Sequence, residues 1–129
     1  MEMHPVTSIL YQTVTGYDEK GVKINETLYT GSFFLSQKQP PCDWQVASFE
    51  TLALQDFDPI LALKPEILIL GTGKEHRFLP SAWTVSLFKQ GLIAECMNNR
   101  AACRTYSLLM HEGRKIALAL IMGHVLPNG

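Results

Sequence analysis

The chain reads as a single α/β domain, and three observations predict it. Ile67-Leu68-Ile69-Leu70 is a run of four large aliphatics with no polar face, the pattern of a strand buried on both sides. From Glu66 onward the pattern reads strand–helix–strand–helix–strand, with apolar runs of strand length between stretches of helical period. The length, 129 residues, fits one domain, and a domain of that size buries roughly two-thirds of the surface its unfolded chain exposes.

In chain order, residues 1–16 show no sustained period and read as an irregular N-terminal arm, with a short helical turn around Ile9 and Tyr11. The domain proper is expected over 17–125, with 126–129 as a C-terminal tail. Gly16, Asp18 and Gly21 mark turns. Val22-Lys23-Ile24 alternates like a half-buried strand, Asn25-Glu26 makes a tight turn, and Leu28 to Leu35 returns as the second strand of an antiparallel hairpin. Pro40-Pro41 ends that region, and Trp44 to Phe49 has the character of another short strand. Pro59 suits the first turn of a short helix over Ile60 to Leu63.

After the strand at Glu66 and the turn Gly71-Thr72-Gly73, a helix runs from Leu79-Pro80-Ser81 to about Gln90. Its Trp83/Leu87 and Val85/Phe88 pairs make two apolar rows, which predicts contact with two neighbours. Gly91 stands where a left-handed cap ends a helix. Leu92 to Met97 is a strand with one charge, Glu95. Asn98 or Asn99 caps the following helix, whose expected buried face is Ala101, Ala102, Thr105, Leu108 and Leu109. Arg100, Arg104, Ser107 and His111 form its outer stripe. Lys115 to Met122 is the last strand, with Ile116, Leu118, Leu120 and Met122 on one face. The preceding turn Glu112-Gly113-Arg114 is short enough for either strand direction.

Composition narrows the function classes. With 47% hydrophobic and 18% charged residues, the core should be large and the surface modestly charged. A net charge of −1 lacks the basic excess of a phosphate-backbone binder, so no nucleic acid is expected. No apolar run is long enough to span a bilayer, so no membrane insertion is expected. The opening Met-Glu-Met-His-Pro has the layout of neither a signal nor a transit peptide, which points to the cytoplasm. Cys42, Cys96 and Cys103 are odd in number and without C-x-x-C spacing, which suits free thiols.

In open α/β sheets, ligands sit beyond the carboxyl ends of the parallel strands. If strands 66–71 and 92–97 are parallel neighbours, Gly71, Thr72, Gly73 and Lys74 face Asn98, Asn99, Arg104 and Thr105 across one cleft. Backbone N–H groups in the glycine turn and at the helix start can hold an anion there, and Lys74, His76 and Arg77 add positive charge. The same residues equally suit a tight structural turn and a helix cap. The turn is no dinucleotide fingerprint, because His76 occupies the third glycine position, and it lacks the Gly-Lys-Ser/Thr ending of a P-loop.

Catalytic chemistry finds little footing. Ser81 and Ser107 lack a nucleophile elbow, and Cys96 and Cys103 read as core thiols, with Cys103 the better-placed nucleophile. Glu95 is explained by pairing with Arg114 or Lys115. His4, His76, His111 and His124 have no ligand spacing, so neither metal nor other cofactor is predicted.

The string Glu66 to Gly73, then Pro80, Leu87, Gly91, Glu95-Cys96-Met97, Ala101-Ala102, Thr105-Tyr106 and Glu112-Gly113-Arg114 is similar to the domain-of-unknown-function family 498. Ile24-Asn25, Tyr29, Ser32 and Trp44 fit the same pattern, so the likeness runs from about Tyr17 to Ile121. It departs from the family at Ser107, where Asn is usual, and at Asn98, where many members have Thr. The resemblance implies a three-layer fold: a mixed central sheet, helices on one side and an additional N-terminal β layer. The family includes a mitochondrial complex I assembly factor, so the resemblance implies a non-catalytic domain whose partner is another protein. Exposed aromatics such as Tyr11, Phe33 or Trp44 are the expected anchors. The alternative is a small-molecule (anionic metabolite) binding protein or enzyme that uses the cleft between Gly71–Gly73 and Asn98–Arg104.

Overall fold

Residues 11–122 are described by a computed structural model. The short turn expected around Ile9 and the tail at 126–129 lie outside them. Eight strands are formed among the described residues: β1 (Val14–Asp18), β2 (Gly21–Ile24), β3 (Thr27–Tyr29), β4 (Phe33–Ser36), β5 (Cys42–Asp43), β6 (Ile67–Gly71), β7 (Ile93–Met97) and β8 (Ile116–Leu120). Three α-helices accompany them, α1 (Asp58–Leu61), α2 (Ser81–Lys89) and α3 (Asn99–Leu109), with single 3-10 turns at Phe49–Thr51 and Leu54–Phe57.

The main sheet has the order β5-β4-β8-β6-β7, and β1-β2-β3 form a separate antiparallel sheet. β6 lies parallel to both β7 and β8, while β4 runs antiparallel to β8, so the central sheet is mixed. The direction of the last strand is thereby settled. β1 begins at Val14, inside the stretch expected to be irregular.

β6 shows why four aliphatics in a row are needed. Ile67 and Ile69 point into one core with α3 and β2, and Leu68 and Leu70 into the other with α1 and α2. Each fully buried side chain of this size contributes roughly 1.5–3 kcal/mol. The small sheet and α3 therefore cover one face of the main sheet, and α1, α2 and the 3-10 turns cover the other. The mixed sheet and the extra β layer are as expected; the helices, however, are divided between the two faces. The division follows from connectivity: α2 carries the chain from β6 to β7 on one side, and α3 returns it past β6 to β8 on the other.

Three local expectations are corrected. Leu28 to Leu35 is two strands in different sheets, broken at Thr30-Gly31-Ser32, because Trp44 N donates to the Ser32 carbonyl and Met122 N to its hydroxyl. Trp44 to Phe49 is no strand; the indole instead donates to the Asp56 carbonyl at 2.8 Å and packs its ring on Phe57. On α3 the buried residues are Asn99, Ala102, Cys103 and Tyr106, whereas Leu108 is 70% exposed. The Tyr106 ring, with its hydroxyl on the Gln12 carbonyl, sets the helix rotation. Asn25 and Glu26, with φ of 49° and 78°, form the expected hairpin turn.

Candidate functional site

β6 and β7 are parallel neighbours, with Gly71 level with Met97, so their carboxyl ends lie side by side. The chain leaves β6 toward one face and β7 toward the other, which is the arrangement that opens a crevice between adjacent strands. Here the crevice is filled from within. Thr72 N donates to the Met97 carbonyl at 2.9 Å, and Asn99 N to the Gly73 carbonyl at 2.8 Å. The Asn99 side chain accepts from Gly73 N and donates to the Ile121 carbonyl, each at 3.0 Å. Asn99 is 6% exposed. Its amide oxygen thus takes the backbone donor that an anion would need.

Thr72 is likewise committed. Its hydroxyl lies 2.6 Å from the Glu75 carbonyl and accepts from Arg77 N at 3.0 Å, folding the loop back on itself. Arg77 is held in turn by an ion pair with Glu50 and by stacking over the Phe49 ring, 5.0 Å from its centroid. Asn98 accepts from Ala101 N at 2.8 Å as the helix cap.

What remains open is a depression of about 320 Å³ beside this plug, lined by the expected Gly73, Lys74 and Asn98 and by Arg100, which was expected only on the outer stripe of the helix. Tyr17, Asp18 and Glu19 complete its wall. Arg104 and Thr105 do not line it; Arg104 lies one turn further along α3, on the exposed side. Gly71, Thr72 and Asn99 belong to the hydrogen-bonded plug. Sequence reasoning missed Tyr17, Asp18 and Glu19, whose only local signals were turn residues. With two carboxylates and the two cations Lys74 and Arg100 in one lining, the wall has no excess of either sign. A second depression, of about 460 Å³, lies across the Gly73–Lys74 loop and is bordered by Glu50, Glu75 and Arg77.

The Arg100 guanidinium sits 4.9 Å from the centroid of the Tyr17 ring. Burial raises the Tyr17 phenol above its ordinary range, the nearby Cys103 adds to the rise, and Arg100 opposes it. Burial likewise pushes the Cys103 thiol up to about 12 and raises that of Cys96. Thiols held in that direction are poor nucleophiles at neutral pH. Arg114 pairs with Glu66 at 3.8 Å, the partner expected for Glu95 notwithstanding. Two of the aromatics expected as exposed anchors are core: Phe33 is 1% and Trp44 5% exposed.

The family model described as "Protein of unknown function (DUF498/DUF598)" matches residues 14–121. The chain belongs to this family. A relative in Rattus norvegicus, named NADH dehydrogenase [ubiquinone] 1 alpha subcomplex assembly factor 3, is 30% identical over 110 residues. The match takes in 84% of this chain and 59% of the rat protein, so the chain spans about three-fifths of that relative. Among solved structures, a Xanthomonas campestris protein of similar fold has a TM-score of 0.79 at 32% identity, covering 98% of each chain. A Bordetella parapertussis protein has a TM-score of 0.82 at 28% identity, covering 87% of this chain and 96% of its own. Among the described residues, no helix is long and apolar enough to cross a membrane.

Proposed function

We propose that this chain is a non-catalytic protein-binding domain, an assembly factor for a respiratory or other membrane complex, and that it docks through the outward face of α2. One observation carries the reading. Val85 and Phe88, the second apolar row of α2, are 51% and 65% exposed, and Phe78 in the approach to the helix is 78% exposed. The first row packs as expected, with Leu87 fully buried on the sheet. Single exposed apolar residues are ordinary, but two phenylalanines and a valine on one short helix and its approach are a concentration. The rat relative's name supports an assembly role.

The partner's chemistry follows from charge. Along α2 and its approach Lys89 is, among the described residues, the one cation not already paired, since Arg77 is held by Glu50, so the complementary surface is mainly apolar, with an acid opposite Lys89. The test is co-purification of the tagged chain with subunits of its host's NADH dehydrogenase, wild type against Val85→Asp/Phe88→Asp. Loss of those subunits with unchanged melting temperature supports the reading. Their retention by the double variant moves docking elsewhere, and their absence from the wild type removes the assembly role. A concentration-dependent dimer in sedimentation, abolished by the same variant, would give the face to a second copy of the chain.

A second reading keeps an anionic small molecule beside Lys74, Asn98 and Arg100, since these three line one depression. Its mark is a thermal shift with an anionic metabolite that Arg100→Ala abolishes and Arg104→Ala leaves intact.

A further inference from the structure

We propose that the cavity at the amino ends of β6 and β8 binds a small organic anion, a phosphate or dicarboxylate carried on an apolar body. The cavity measures about 330 Å³, the lower end of the range for small-molecule sites. Lys38, Arg114 and Lys115 line it, and among the described residues none of those lining it is an acid. Leu63, Pro65 and Ile116 give the wall an apolar part, and Pro65 and Ile116 are buried. The three cations come from two separate segments, the end of β4 and the turn before β8, which the antiparallel pairing of these strands brings together.

The wall is rigid. The Gln37 side chain donates to the carbonyls of Met110 and Arg114, at 2.9 and 2.7 Å, and accepts from Ile116 N at 2.9 Å. The backbone that carries Lys38, Arg114 and Lys115 is therefore held before any ligand arrives, which lowers the ordering cost of binding. The site lies at the opposite end of β6 from the Asn99 plug, five residues away, or roughly 15 Å along the strand. It does not depend on the role given to α2.

Glu66 makes the proposal specific. Its carboxylate lies 3.8 Å from Arg114 Nε, and both side chains are more than half exposed, at 58% and 56%. Such a pair is loosely held, so Glu66 competes with an incoming anion for Arg114 and sets the affinity from outside the cavity.

The experiment titrates the isotope-labelled full chain with phenyl phosphate and, in parallel, with inorganic phosphate, reading backbone amide shifts. Saturable shifts are expected at Lys38 and at Gly113 to Ile116, with phenyl phosphate the tighter ligand because its ring reaches the apolar wall. Lys38→Glu and Lys115→Glu, both exposed and so tolerated by the fold, should each weaken binding about tenfold or more, equivalent to ~1.4 kcal/mol. Glu66→Gln should tighten it. Added salt should weaken all of these. Absence of saturable shifts, undiminished shifts in the lysine variants, or no gain in Glu66→Gln overturns the site. Equal affinity for the two phosphates overturns the apolar body of the ligand.

Discussion

The Asn99 amide oxygen occupies the place that a β-carbon on Gly71 would take. A methyl group built there would overlap both that oxygen and Leu120 Cδ2, and it would also press on the Asn99 Cα. The glycine at the end of β6 is thus required by the close approach of α3, and the helix start is pinned to the strand. Gly71→Ala is expected to destabilise the fold by about 1–3 kcal/mol, the usual range for overpacking a filled interior. Urea denaturation reads this as a lower midpoint with unchanged slope. A variant as stable as wild type would mean that α3 is free to shift.

Asn99 links three carboxyl-end segments: the Gly73 amide, the Ile121 carbonyl and the start of α3. Asn99→Ala leaves the buried Ile121 carbonyl and the half-buried Gly73 N–H without partners and should cost about 2–3 kcal/mol, ~1–3 for the buried group and less for the one that water can reach. Asn98→Ala removes only the cap on Ala101 N and should cost about 1 kcal/mol. The pair separates the two asparagines by role: the larger loss at position 99 in thermal unfolding identifies it as the plug. Equal losses would reduce Asn99 to a second cap.

This is also where the sequence was least legible. The strand–helix–strand–helix–strand core could be read from period alone, because Ile67 to Leu70 and Ile116 to Met122 admit few other structures and the parallel pairing of β6 with β7 follows from an intervening helix. A cap at Asn98 or Asn99 was equally visible. Period carries no information about which of two adjacent asparagines turns inward, and Gly71 next to a glycine turn reads the same whether its space holds a ligand or an amide. The small sheet was harder still: Tyr17, Asp18 and Glu19 reach the rim of the crevice only through the long-range packing of β1 on α3. Leu108 turns outward, against its helical period, because Tyr106, a larger side chain two positions away, sets the rotation of the helix.

Alkaline pH should expose the buried titratable groups. Burial raises the Cys103 thiol from 9.0 to about 12, and it raises the Tyr106 phenol above 10.0, with Tyr11 adding to that rise. Below pH 9 both groups are neutral in the folded and the unfolded chain, and their contribution is fully present. Above it the unfolded chain releases the thiol proton first, so stability falls by up to ~1.4 kcal/mol per pH unit for each such group until the folded pKa is reached. Urea midpoints between about pH 8 and about pH 10.5 should decline, and Cys103→Ala should decline less steeply. A parallel slope in that variant would assign the loss to other groups. In the same range Cys42, which is exposed, should react with a thiol reagent well before Cys103.

The two apolar rows of α2 make opposite predictions for neighbouring residues. Leu87 is fully buried against the sheet, and Leu87→Ala should cost about 2–5 kcal/mol as a cavity opens beneath the helix. Phe88, one residue on and 65% exposed, touches the folded chain little, so Phe88→Gln should change stability by no more than about 0.5 kcal/mol. A surface side chain kept for docking should therefore be removable at no cost to the fold while binding is lost. Melting temperature and partner co-purification, measured on both variants, separate these effects. A large loss of stability in Phe88→Gln would show the ring to be part of the chain's own packing, and the docking face would have to be sought elsewhere.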